Sequence, residues 1–152
     1  EYSVTVRWTE EKRGVATSAD GLPAVEVASP PEFGGHANVW SPEHLYVASV
    51  ASCYMTTLLA IAGVSRVEVR ALEIPALGEL ERGEDRLYSI PRMVLRPQIT
   101  LAREEDRERM LRLVDKADKV CLVSRSTMTD IRVEPVIVAE PVAAHEEVAL
   151  DA

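Results

Sequence analysis

The stretch Ser41-Pro42-Glu43-His44-Leu45-Tyr46-Val47-Ala48-Ser49-Val50-Ala51-Ser52-Cys53-Tyr54-Met55-Thr56-Thr57-Leu58-Leu59-Ala60-Ile61-Ala62-Gly63-Val64 decides the fold. Ser41 can cap free backbone N–H groups, Pro42 suits a first helical position, and Glu43 meets the positive end of the helix dipole. Gly63 reads as the stop. From Leu45 to Val64 no residue is charged, and the helix is apolar nearly all round. Such an element must be surrounded by protein on every side. A small chain with one other long helix does not cover it alone, which predicts a homodimer. The same twenty positions are long enough to span a membrane. Ser49, Ser52, Thr56, Thr57, the many alanines and a strand-rich remainder favour a buried central helix instead, with no membrane partner.

Outward from this helix, the pattern is strand-rich. Val4, Val6 and Trp8 alternate with Thr5, Arg7 and Thr9, the period-two signature of a half-buried strand. Short strands around Val15–Thr17 and Val25–Val27, separated by Asp20-Gly21, complete a small antiparallel meander. Ser29 to Asn38, with two prolines and two glycines, reads as a loop. After the helix come a strand from Val67 to Ile74 whose phase slips near Ala71, a charged turn over Gly78–Asp85, and one long strand from Met93 to Leu101. Pro97 in that run prefers an edge or a bulge. Arg103–Lys119 reads as a second helix with Met110, Leu113, Val114 and Ala117 on one face, then a break near Val120 and a short helix through Met128. Ile131, Val133 and Ile137 make a closing strand. The order predicts an α+β arrangement of antiparallel sheets with two main helices. One domain over 1–140 is expected, followed by an acidic tail over 141–152.

Composition narrows the function classes. The chain has 152 residues, 47% hydrophobic and 28% charged, which is globular rather than disordered. A net charge of -8 with no basic patch argues against nucleic acid, because phosphate binding needs clustered Lys and Arg. Two cysteines are too few for a disulfide framework. No secretory signal is visible, so a cytoplasmic setting with reduced thiols is expected. His36 and His44 lack the partners of a zinc site, since neither a Cys-x-x-Cys nor a His-x-x-x-His pair exists. No metal or cofactor is expected.

The chemistry-bearing residues are Cys53 in the long helix and Cys121 in Val120-Cys121-Leu122-Val123-Ser124, just after the second helical pattern. Spacing alone leaves both as small buried hydrophobes or as a redox pair. Peroxide chemistry needs a thiolate, which burial opposes, so a reactive Cys53 calls for a nearby cation. Arg13 and Lys12 in the first turn, or an arginine from the strand region, are the candidates.

Ser41-Pro42-Glu43-His44-Leu45 followed by Ala51-Ser52-Cys53 resembles the family of OsmC and Ohr proteins, the osmotically induced and organic hydroperoxide resistance proteins. There a Pro-Glu pair opens the central helix and the peroxidatic cysteine follows ten residues after the Glu, as Cys53 follows Glu43. The family's resolving cysteine lies in a Cys-Pro-x-Ser segment. Cys121-Leu122-Val123-Ser124 is similar to it, with Leu122 in place of the proline. Lys12-Arg13-Gly14 stands where the family carries an arginine in its first strand turn, and the similarity runs from about Tyr2 to Val138. The resemblance implies a thiol peroxidase in which Cys53 becomes a sulfenic acid and Cys121 condenses with it to a disulfide. Arg13, or Lys12, would stabilise the thiolate, and Glu43 would hold Arg13 by a bidentate pair. It implies an organic hydroperoxide substrate, a dithiol reductant such as a dihydrolipoyl group, no cofactor, and an intertwined homodimer. Ten helical residues rise about 15 Å, so Glu43 cannot touch Cys53 of its own straight helix. An antiparallel partner helix would have to bring a second Glu43 across. The alternative implied by the same fold is a non-catalytic protein that binds a small hydrophobic ligand at the dimer cleft.

Overall fold

A computed structural model describes residues 1–140; the expected tail over 141–152 lies outside the described residues. The chain forms two compact units, Glu1–Ser49 and a second one that begins at Val50. The first holds β1 (Val4–Glu10), β2 (Arg13–Ser18) and β3 (Val25–Ala28) in an antiparallel sheet of order β1-β2-β3, the expected meander. The β1–β2 turn is tighter than its polar sequence suggests. Only Glu11 and Lys12 lie between the strands, and Glu11 takes φ 42.

The helix α1 (Pro42–Val64) starts in the first unit and continues through the second. Its start follows the sequence signals: buried Ser41 accepts a hydrogen bond from the His44 N–H at 3.2 Å, and its hydroxyl also meets His44 Nδ1 at 2.8 Å. Its stop does not. Gly63 stays inside the last turn, while Arg66 takes the left-handed conformation at φ 56. The Val67 N–H then reaches the Ala62 carbonyl and the Arg66 N–H reaches that of Gly63, a Schellman closure.

The second unit adds β4 (Val69–Glu73), β5 (Ala76–Arg82), β6 (Tyr88–Leu95), β7 (Gln98–Leu101), α2 (Arg107–Val120), β8 (Asp130–Val133) and β9 (Val136–Ala139). The strands form two sheets, β4-β7-β9 and β5-β6-β8. Each strand of one sheet is joined through a proline to a strand of the other: Pro75 between β4 and β5, Pro97 between β6 and β7, Pro135 between β8 and β9. A proline cannot donate to a ladder, so each long run breaks there. The bend is stitched by the Arg96 N–H to the Pro75 carbonyl and the Val136 N–H to that of Pro97, both at 2.8 Å. The single strand expected over Met93–Leu101 is therefore two, and so is the closing strand.

Three sequence expectations need correction. Not every pairing is antiparallel: β6 with β8 and β7 with β9 run parallel. Parallel neighbours need a long crossover, and α2 supplies it. The charged segment over 78–85 is largely strand β5, because Arg92 on β6 pairs across the ladder with Glu79 at 3.1 Å and with Glu81. The reversal is confined to the residues after Arg82, where Arg86 takes φ 66. After α2 the chain makes only a single 3-10 turn over Ser124–Ser126, not a helix through Met128.

The core of the second unit gathers Val50, Tyr54, Leu58 and Ala62 of α1 with Met93, Leu95, Ile99, Leu101, Met110, Leu113, Val114 and Ala117. The four buried residues of α1 recur every fourth position, one narrow stripe of a helix of 23 residues. Met55, Leu59 and Val64 are exposed at 36%, 40% and 87%. The expected coverage on every side is thus absent within one chain.

Candidate active site

Cys53 and Cys121 meet in the second unit. Cys53 sits on α1 one residue before the buried Tyr54 and is itself half-buried. Cys121 is the C-cap of α2, fully buried, with φ -58 and ψ 117. That extended ψ ends the helix, although the Cys121 N–H still reaches the Ala117 carbonyl at 2.9 Å. The chain then turns back over the first thiol, and the Val123 N–H lies 3.5 Å from Cys53 Sγ. Both cysteines are free thiols, within hydrogen-bonding reach of one another.

Their acidities diverge. Burial opposes ionisation of Cys53, but it is outweighed by hydrogen bonds from the Val123 N–H, the Cys121 thiol, the Thr57 hydroxyl and the Leu122 N–H. The Cys53 thiol falls below its usual value. Burial pushes the Cys121 thiol up, and the neighbouring Cys53 sulfur pushes it further, against hydrogen bonds from Ser124. Of the two sulfurs, Cys53 is thus the more readily ionised and Cys121 the one that holds its proton longer. The cation expected beside Cys53 is not among the groups of the second unit that bear on its acidity. Every group there that lowers its pKa is a neutral donor. Sequence reading missed Thr57, Leu122 and Val123. Thr57 was findable, since it lies four residues after Cys53 on the same helical face. The two amides were not, because almost every residue has one.

Arg13, Lys12 and Glu43 belong to the first unit. Arg13 opens β2 and pairs with Glu26 at 3.5 Å and Glu10 at 3.9 Å. The expected Arg13–Glu43 pair is not among the ion pairs of the described residues. The sheet register sets Arg13 opposite Glu10 on β1 and opposite Ala28 on β3, with Glu26 its diagonal neighbour two residues along. Lys12 Nζ donates to the Phe33 carbonyl at 2.6 Å. Lys12 and Arg13 share a cleft of about 360 Å³ with Val6, Trp8, Val27 and Pro42. Glu43 lies in the first turn of α1, with Oε2 buried and without a hydrogen-bond partner. His36 is tied to Glu11 at 3.0 Å.

Two thiols of opposed acidity in mutual contact, held on an α+β scaffold with two main helices, define the class: a dithiol protein of mixed α+β fold. The OsmC-like protein family model matches residues 35–136, and the chain belongs to the OsmC-like family. It is similar to the uncharacterized protein YmaD of Bacillus subtilis, 21% identical over 136 residues covering 88% of this chain and 90% of that one. An OsmC-like protein of unknown function from Vibrio cholerae has a similar structure, with a TM-score of 0.82 at 21% identity over 90% of this chain and 99% of that one. An organic hydroperoxide resistance protein OsmC from Legionella pneumophila matches with a TM-score of 0.70 at 23% identity, over 90% of this chain and 97% of that one. These likenesses show the OsmC-like fold.

Proposed function

We propose that this chain is a cysteine-based peroxidase that reduces organic hydroperoxides as a homodimer in the cytoplasm. The observation that carries the reading is the contact between a thiol of lowered pKa, Cys53, and a protonated thiol of raised pKa, Cys121. The Cys53 thiolate attacks the terminal peroxide oxygen, the O–O bond breaks, and the alkoxide takes a proton and leaves as alcohol. Cys53 is then a sulfenic acid. Cys121 attacks that sulfur, water leaves, and a disulfide joins the two. A dithiol such as a dihydrolipoyl group would return both to thiols by exchange, becoming a disulfide itself. Arg13, with Lys12 beside it, would face the thiolate and peroxide of a partner subunit, and Glu43 would be the carboxylate that orients the cation there. The unpartnered Glu43 Oε2 supports a partner from outside the chain. The hydroperoxide resistance protein with the same fold supports the substrate class.

The test is direct. Adding tert-butyl hydroperoxide to the reduced protein is expected to consume two thiols per chain and form a Cys53–Cys121 disulfide, and Cys53→Ser abolishes both. Two thiols intact after prolonged exposure would remove the peroxidase. One observation favours the second reading, a hydrophobic-ligand binder: the cleft beside Trp8 is walled by Val6, Val27 and Ala28. Unreactive thiols together with saturable binding of an apolar fluorophore would select it.

A further inference from the structure

Tyr54 follows Cys53 on α1, is fully buried, and has no part in the chemistry described so far. A buried phenol without a partner is costly, so its hydroxyl has to be satisfied somewhere. It donates to the Val114 carbonyl of α2 at 3.3 Å, across 60 positions of sequence. That carbonyl lies inside α2, where the helix supplies an N–H of its own, so the phenol is a second donor and not the rescue of an orphan. Burial, with Asp118 and Asp115 nearby, pushes the phenol above its ordinary range and keeps it a donor. Val114 stands seven residues before Cys121, about two helical turns along the same face. The Cys121 N–H holds to the Ala117 carbonyl at 2.9 Å, which fixes the second thiol to the end of α2. The phenol bond therefore joins the residue beside the first thiol to the helix that carries the second. Another tie, from Arg109 to the Ser65 carbonyl at 3.2 Å, comes from an exposed side chain just beyond the C-terminal end of α1. A disulfide needs its two Cβ atoms within about 4.5 Å, and a slip of about an ångström between the helices defeats that.

We propose that Tyr54 is a positioning residue: its hydrogen bond to the Val114 carbonyl sets α2 on α1 at the register that holds Cys121 against Cys53. The inference rests on the peroxidase reading for its purpose, but its measurement needs no peroxide. The step measured is exchange with glutathione. Oxidised glutathione takes two electrons from the thiols, its S–S bond breaks, the Cys53–Cys121 bond forms, and two reduced glutathiones carry away the protons.

The equilibrium of that exchange, read by mass spectrometry, gives the effective concentration of one thiol at the other. Tyr54→Phe removes only the hydroxyl and is expected to lower it about fivefold, the worth of one neutral hydrogen bond. After a pulse of tert-butyl hydroperoxide, more Cys53 of this variant is expected to be trapped by dimedone as sulfenic acid, because Cys121 resolves it more slowly. Ile99→Val trims the same buried core at a comparable cost in stability and keeps the parent effective concentration. Should Tyr54→Phe lose its native circular dichroism, 3-fluorotyrosine in place of Tyr54 strengthens the donor, and the effective concentration is expected to rise. An unchanged value in a folded Tyr54 variant overturns the proposal, and so does an equal fall in Tyr54→Phe and Ile99→Val. A fall confined to Tyr54→Phe in a protein inert to peroxide leaves the tie standing and removes the peroxidase. Unchanged exchange in a protein that consumes peroxide does the reverse.

Discussion

At the residue scale, the division of labour between the two sulfurs follows from the donors each receives. Cys53 is fed by two amides, a hydroxyl and a thiol, whereas Cys121 lies fully buried beside the more acidic Cys53 sulfur. The sign is simple. A thiol reacts as its thiolate, the thiolate fraction grows as pH rises, and a lowered pKa moves that growth to lower pH. Cys53 is therefore expected to be alkylated before Cys121, with a midpoint below that of free cysteine, while Cys121 becomes reactive only at higher pH. Peptide-resolved alkylation across a pH series checks this, and a single shared midpoint for both would contradict it. The sequence revealed the two thiols but not their acidities. Burial of Cys53 suggested a suppressed thiolate needing a guanidinium, and neutral backbone donors reverse the shift within the second unit. Arg13 shows the converse: its place at the head of β2 was legible, but its partners Glu26 and Glu10 are set by strand register, which no local motif encodes.

At the element scale, starts were easier to read than stops. Ser41, Pro42 and Glu43 each act locally, so the beginning of α1 agrees with the sequence. Its end was misplaced because Gly63 is the residue type that best tolerates a left-handed cap, yet the chain places exposed Arg66 there. A non-glycine residue in that conformation costs roughly 1–2 kcal/mol, offset in part by the greater unfolded freedom of glycine. Arg66→Gly is thus expected to stabilise the protein by about 0.5–1 kcal/mol, seen as a higher urea midpoint at unchanged slope. A lower midpoint would mean that the Arg66 side chain holds something its backbone geometry does not reveal. The strands follow the same logic. Alternation continues through Pro97, so period alone joins β6 to β7, and only the missing N–H of the proline breaks them. Parallel pairing of β6 with β8 was hidden for a different reason: periodicity reports which face is buried and never which strand lies alongside.

At the scale of the whole molecule, the least satisfied feature is α1. Its apolar circumference was plain in the sequence, and the fold buries only the stripe of Val50, Tyr54, Leu58 and Ala62. The helix also meets the length and hydropathy of a membrane span. A second copy explains more than lipid does, because β1 likewise leaves Val4, Val6 and Trp8 exposed at 66%, 64% and 72%, and a strand with one open edge has no place in hydrocarbon. Two such surfaces from each chain can supply the roughly 800 Å² per partner that a stable interface needs. Glu43, too far along its own helix to reach Cys53 and left with an unpartnered oxygen, would then complete a partner's site. Leu59 lies on the uncovered face at 40% exposure. Leu59→Glu would bury a charge against a second apolar helix, so it is expected to yield monomers by sedimentation and to slow peroxide consumption at least about tenfold, since an unpaired buried charge costs several kcal/mol. Leu59→Ala, which keeps the face apolar, should remain dimeric and active. If the glutamate variant stays dimeric at full rate, the interface lies elsewhere. If it becomes monomeric without loss of rate, each chain carries a complete site and Glu43 serves no neighbour.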